Sequence, residues 1–147
     1  MKYVFRQMEA SDIEAVYIIE CRSFLTPWSI ESFQKELKDN RLAYYYVVEE
    51  LGKVIAYGGM WIVIDESHVT NIAVLPEYRG LGVANVLVNG MIEMAKEMNV
   101  FNMTLEVRVS NESAIKLYEK HGFERNKIRP NYYKENNEDA LIMWKKF

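Results

Sequence analysis

The chain has 147 residues, 50% of them hydrophobic and 27% charged, with a formal charge of -3. That balance predicts one soluble domain over residues 1–147 with a true core, and excludes a disordered chain. The acidic sign and the missing basic stripe exclude nucleic acid as the main partner. Cys21 is the only cysteine, and His68 and His121 are the only histidines. No internal disulfide, multi-cysteine zinc site or His-rich metal centre can form, and a free thiol fits a reducing compartment. The start, Met1-Lys2-Tyr3-Val4-Phe5-Arg6, is charged too early for a signal peptide. No run approaches the ~18 apolar residues of a spanning helix. The expectation is a cytoplasmic protein without a membrane partner.

Residues 2–8 read as a first strand. Ser11-Asp12-Ile13-Glu14 predicts a capping box, with Ser11 as N-cap and Glu14 reaching back to it. The helix it opens carries Ile13, Val16, Tyr17 and Glu20 on one face and ends near Arg22. Thr26-Pro27-Trp28-Ser29 breaks the chain, and a second short helix is expected at residues 30–38. Residues 43–49 and 53–64 are rich in aromatic and β-branched side chains and flank a tight turn at Glu50-Leu51-Gly52. They predict an antiparallel hairpin, with Gly58-Gly59 marking a bulge. Tyr44-Tyr45-Tyr46 reads as core or as an interface edge. Residues 69–75 continue the meander.

Pro76-Glu77-Tyr78-Arg79-Gly80-Leu81-Gly82-Val83-Ala84 then joins that strand to a helix at residues 83–98. A glycine-bearing turn here leaves backbone N–H groups pointing outward at the positive end of the helix dipole, which suits a phosphate or pyrophosphate. The same glycines also serve a purely steric turn. There is no Gly-x-x-x-x-Gly-Lys-Ser/Thr, and Asn85 stands at the third-glycine position of the dinucleotide fingerprint, so both of those loops are excluded. The helix places Ala84, Leu87, Met91, Met94 or Ala95, and Met98 on one face, to pack on the sheet.

In the next strand, residues 103–109, the odd positions are apolar and Thr104, Glu106 and Arg108 share the opposite face. Asn111 fits the N-cap of a helix running to Lys120, and Gly122 fits its stop. Strands at residues 123–132 and 139–145 flank a polar turn at Glu135-Asn136-Asn137. The order is β-α-α-β-β-β-α-β-α-β-β: an α/β chain with a mixed sheet and helices on both faces.

These segments resemble the GNAT acetyltransferases, and within them the RimI-like protein N-terminal acetyltransferases. The resemblance covers nearly the whole chain. The family's acetyl-CoA motif, Gln/Arg-x-x-Gly-x-Gly/Ala, reads here Glu77-Tyr78-Arg79-Gly80-Leu81-Gly82, with Glu77 departing from the usual Gln or Arg. Pro27-Trp28-Ser29 with Phe33, Asn71-Ile72-Ala73-Val74, and Leu105-Glu106-Val107-Arg108 followed by Asn111, Ala114 and Leu117-Tyr118 match the RimI branch in order. So does Asn131-Tyr132-Tyr133 with residues 138–143.

The resemblance implies a GNAT fold with a splayed central strand pair that holds acetyl-CoA as cosubstrate, without a metal. Backbone groups of Ile72, Ala73 and Val74 would line the pantetheine arm, and Arg79, Gly80, Leu81, Gly82, Val83 and Ala84 would cradle the pyrophosphate. Asn111 would bind the arm as well as cap its helix. Glu106 is the candidate general base, set against an exposed strand carboxylate paired with Arg108 or a lysine. Tyr118 is the candidate general acid at the coenzyme sulfur, set against a packing residue beside Ala114 and Ile115. Trp28 and Tyr133 are the candidate acceptor contacts, and His68 and His121 are expected to be ordinary loop or helix-end histidines.

The implied acceptor is a protein N-terminus, the N-terminal alanine of a small-subunit ribosomal protein. The rival acceptors are a lysine side chain, a polyamine or another small amine, and the rival class is a non-catalytic acyl-CoA-binding domain. The implied assembly is a monomer or weak homodimer.

Overall fold

The computed structural model describes residues 2–147, and Met1 lies outside the described residues. The strands are β1 (Val4–Gln7), β2 (Ala43–Glu50), β3 (Lys53–Val63), β4 (Glu66–Val74), β5 (Asn102–Arg108), β6 (Glu124–Tyr133) and β7 (Glu138–Lys146). The helices are α1 (Ile13–Ser23), α2 (Ile30–Asp39), α3 (Val83–Glu97) and α4 (Glu112–Lys120), in the order expected. All strands join one seven-stranded sheet, β1-β2-β3-β4-β5-β7-β6. Every neighbouring pair is antiparallel except β4 and β5, which are parallel.

The helices cover both faces. On one side the Tyr57 hydroxyl donates to Glu20 of α1, and Phe33 of α2 meets the Tyr57 ring edge-on at 5.7 Å. On the other, α3 lies so close to β3 that a Cβ on Gly58 would stand 2.7 Å from the Met91 sulfur. Tyr45 and Tyr46 are each 2% exposed, so the tyrosine run is core. β5 alternates as its sequence predicts, with Met103, Leu105 and Val107 buried and Thr104, Glu106 and Arg108 partly open.

Two local expectations are corrected. The capping box is not Ser11 with Glu14. Glu9 is the N-cap of a 3-10 turn at Ala10–Asp12, and the Asp12 carboxylate accepts the Glu9 N–H at 2.8 Å. Asp12 holds this place because the Arg6 guanidinium donates to both of its oxygens at 2.8 Å, which also keeps its pKa below the usual carboxylate range.

The second concerns the bulge. The β3–β4 register does shift at Gly59/Met60, but there Gly59 faces Asn71 and Met60 faces Val69, so the inserted residue is Thr70 of β4. The glycines serve close packing instead: a Cβ on Gly59 would stand 2.2 Å from the Tyr45 ring.

Candidate active site

β4 also starts earlier than its apolar run suggested, at Glu66, and this short extension is what ties it to β5. The two strands pair only over Glu66–Asn102, Ser67–Met103 and His68–Thr104. Beyond His68 they part, and the parting begins at the Thr70 insertion. A bulge bends its strand and ends pairing locally, which accounts for the opening. Backbone groups on the facing edges of β4 and β5 are left without a strand partner, and the buried Thr70 Oγ1 and Asn71 Oδ1 have no hydrogen-bond partner among the described residues either. The opening is a cleft of about 890 Å³, within the usual range of small-molecule sites.

One end of the cleft is the strand-to-helix turn. Gly80 and Gly82 have φ of +76° and +86°, values glycine adopts freely, and Gly82 is the N-cap of α3. That cap has no side-chain hydrogen bond, and no acidic residue lies in the first helical turn, so the N-terminal N–H groups remain available to an anion. The Arg79 side chain donates through Nε to the Val74 carbonyl at 3.0 Å, anchoring the turn to the end of β4. Glu77 is neutralised from outside: the Arg22 guanidinium approaches it at 2.6 Å and holds its pKa low.

At the middle of the cleft, Glu106 projects from β5 with 14% of its side chain exposed. One carboxylate oxygen lies 3.0 Å from His68 Nε2, and the other 3.9 Å from an Arg129 nitrogen. A carboxylate only accepts, so Nε2 carries the hydrogen of the first contact. His68 Nδ1 lies 3.0 Å from Thr104 Oγ1, which fixes the ring from its other side. Tyr118, from α4, lies against Phe123 at 5.8 Å and forms part of the cleft wall. Burial pushes its phenol well above the ordinary tyrosine value, with Tyr133 adding to the shift. Asn111 caps α4 as predicted, its Oδ1 accepting the Ala114 N–H at 3.2 Å.

The far end of the cleft is bounded by the loop between α1 and α2 and by the β6–β7 hairpin. Glu20, 2% exposed, accepts the Trp28 N–H at 2.9 Å and so closes the loop onto α1. Opposite it, the β6 register jumps: Arg129 faces Ala140, and the next paired residue is Tyr133, facing Glu138. Residues 130–132 bulge out, with Asn131 at φ +53° and its N–H held by Asp139 at 3.0 Å. The bulge turns Tyr133 toward the cleft, where burial raises its phenol to about 12.

The GNAT acetyltransferase family model matches residues 13–123. The chain belongs to the GNAT acetyltransferase family. A Bacillus subtilis (strain 168) protein named provisionally as a ribosomal protein bS18-alanine N-acetyltransferase is 47% identical over 143 residues, covering 97% of this chain and 95% of its own. The Escherichia coli (strain K12) ribosomal protein bS18-alanine N-acetyltransferase is 37% identical over 138 residues, with 92% of each chain covered. The crystal structure of the ribosomal-protein-S18-alanine N-acetyltransferase from E. coli superposes with a TM-score of 0.89 at 34% identity, over 98% of this chain and 93% of that one. The protein is thus an acyltransferase of RimI type.

In this acetyltransferase the cleft wall brings together Ile72, Ala73, Val74, Arg79, Gly80, Gly82, Val83 and Ala84 with Glu106, Asn111, Tyr118, Trp28 and Tyr133. Leu81 is not among them; its side chain is 56% exposed at the turn. Glu106 is paired with His68 and Arg129 rather than with Arg108. His121 is a helix-end histidine, at the C-cap of α4, with Nε2 at 2.9 Å from Asn85 Oδ1. His68 is not a loop histidine. It sits within β4, and only the parallel register of β4 on β5, absent from any local sequence signal, reveals that it meets Glu106.

Proposed function

We propose that this acetyltransferase moves the acetyl group of acetyl-CoA to the N-terminal α-amine of a protein, the N-terminal alanine of a ribosomal protein, in the cytoplasm. The observation that carries the chemistry is the parted β4–β5 pair, with Glu106 on β5 and Tyr118 on α4 bordering one cleft. The acceptor assignment rests on the relatives' names and on the hairpin and loop that narrow the far end.

The residues present fit the coenzyme. The open N-terminus of α3, with its positive-φ glycines, suits a pyrophosphate. The unpaired edges of β4 and β5 suit an amide-bearing arm laid in as an extra strand. Acetyl-CoA supplies a thioester already activated toward amines. Glu106 takes a proton from the acceptor ammonium, and the free amine then forms its C–N bond as the C–S bond breaks. His68 donates its Nε2–H to Glu106 and so holds the carboxylate in place as the proton acceptor, and the proton leaves through the 14% of the Glu106 side chain that stays exposed. Tyr118, kept protonated by burial, donates to the departing sulfur, and the second proton of the amine, shed as the amide forms, restores its phenol.

The test supplies acetyl-CoA and a peptide with an N-terminal alanine and one internal lysine, and locates the label by tandem mass spectrometry. Label on the α-amine, falling about 100-fold or more in Glu106→Gln and in Tyr118→Phe while both variants stay folded, is expected. Near-wild-type turnover in either variant removes that residue's role. Label on lysine alone replaces the acceptor.

A further inference from the structure

The guanidinium of Arg108 is the hub of the acceptor end. One nitrogen donates to Asn136 at 2.9 Å and to Glu138 at 3.1 Å, and the other donates to Glu135 at 2.9 Å. Its carbon lies 4.0 Å from the centre of the Tyr133 ring. Both carboxylates reach onward. Glu138 accepts the Ser110 N–H at 3.0 Å, just ahead of the α4 cap, and Glu135 accepts the Thr26 hydroxyl at 2.9 Å, in the loop between α1 and α2.

We propose that Arg108 is a positioning residue for a polypeptide acceptor, holding Tyr133 and the β6–β7 turn as the wall against which the acceptor main chain lies. This deepens the reading above and rests on it. The register break at residues 130–132 leaves Tyr133 with a single ladder pair, Glu138, beyond the break, so β-pairing alone does not aim its ring. The planar fork does so: it stacks on the ring while its donors tie down the turn beyond. The Thr26–Glu135 hydrogen bond joins the loop and the hairpin, the elements that bound the slot. A peptide entering between them exchanges that contact for its own, and Arg108 keeps Glu135 in place while it does.

Lysine at this position keeps the charge but loses both the fork and the stack. The decisive measurement is therefore steady-state kinetics of Arg108→Lys with an alanine-starting peptide, beside Glu135→Gln, which alters an exposed arm of the same clamp. The expected result for Arg108→Lys is a peptide KM raised about tenfold, equivalent to the loss of one charge-assisted contact. Its kcat and its KM for acetyl-CoA should stay within about twofold of wild type, because Arg108 is not assigned to the coenzyme or to proton transfer. Glu135→Gln should show the same split with a smaller rise, and it decides the matter alone if Arg108→Lys does not fold. An unchanged peptide KM in the variants, or equal losses in peptide KM, acetyl-CoA KM and kcat, overturns the proposal. A wild-type enzyme that labels no peptide α-amine overturns the acceptor reading itself, and this proposal with it; the wild-type control separates those two failures.

Discussion

Asn111 caps its helix and is proposed to bind the cosubstrate as well, and one pair of substitutions separates the two duties. Its Oδ1 accepts the Ala114 N–H at 3.2 Å and so caps α4, while its amide nitrogen would donate to the cosubstrate arm that Asn111 is proposed to bind. Asn111→Ala removes both. Losing a cap of this kind costs about 1 kcal/mol, which for a chain of this size lowers Tm by roughly 3 °C. Asn111→Asp keeps an acceptor oxygen in the same place, and aspartate caps as well as asparagine. Its charge at a helix N-terminus is favourable, so stability should hold or rise slightly. It no longer offers the N–H donor, whose net worth of about 1 kcal/mol corresponds to a KM for acetyl-CoA raised roughly fivefold. Thermal unfolding followed by circular dichroism without ligand, together with a thiol-release assay, reads the two effects independently. An Asn111→Asp enzyme with wild-type KM, or one that melts as early as Asn111→Ala, would refute the division of labour.

Two further outcomes are expected. Leu51 is fully exposed at φ +50° beside Gly52 at φ +81°, so Leu51→Asn gives the hairpin its preferred Asn-Gly turn and should stabilise by about 1 kcal/mol, read as a higher urea midpoint with an unchanged slope. Glu138 is held down to about 2 by its bonds to Ser110 and Arg108, against an ordinary value near 4.5. A depressed folded pKa adds stability that is complete above the unfolded value and disappears as pH falls from about 4.5 toward about 2. Glu138→Gln should therefore flatten the acid limb of the stability profile in that window, and a profile parallel to wild type would refute it.

The element order was legible because each element announces itself locally. The β5 alternation, the Asn111 cap and the aromatic run of β2 and β3 all lie within a few residues of the structure they specify. What escaped was set by partners far along the chain. The capping box moved from Ser11 to Glu9 because Arg6 captured Asp12. His68 looked like a loop residue until the register of β4 against β5 brought it to Glu106. Arg108 appeared only as a charge on the same strand face as Glu106, and its four contacts reach residues 133–138, beyond any local pattern. The glycine pair Gly58-Gly59 did locate the bulge, but the extra residue stands on the opposite strand.

That extra residue gives the protein an uneven tolerance to change. The cleft depends on β4 being one residue longer than its β3 partner at Thr70, and the count matters more than the identity of the side chain. Every replacement at Thr70 leaves the count intact, so a library of single substitutions would record the position as permissive. A library of single-residue deletions would record it as intolerant, because without the surplus residue β4 can run straight and continue its pairing with β5 past His68. The space proposed for the coenzyme arm is written in chain length, and scanning by substitution alone would not find it.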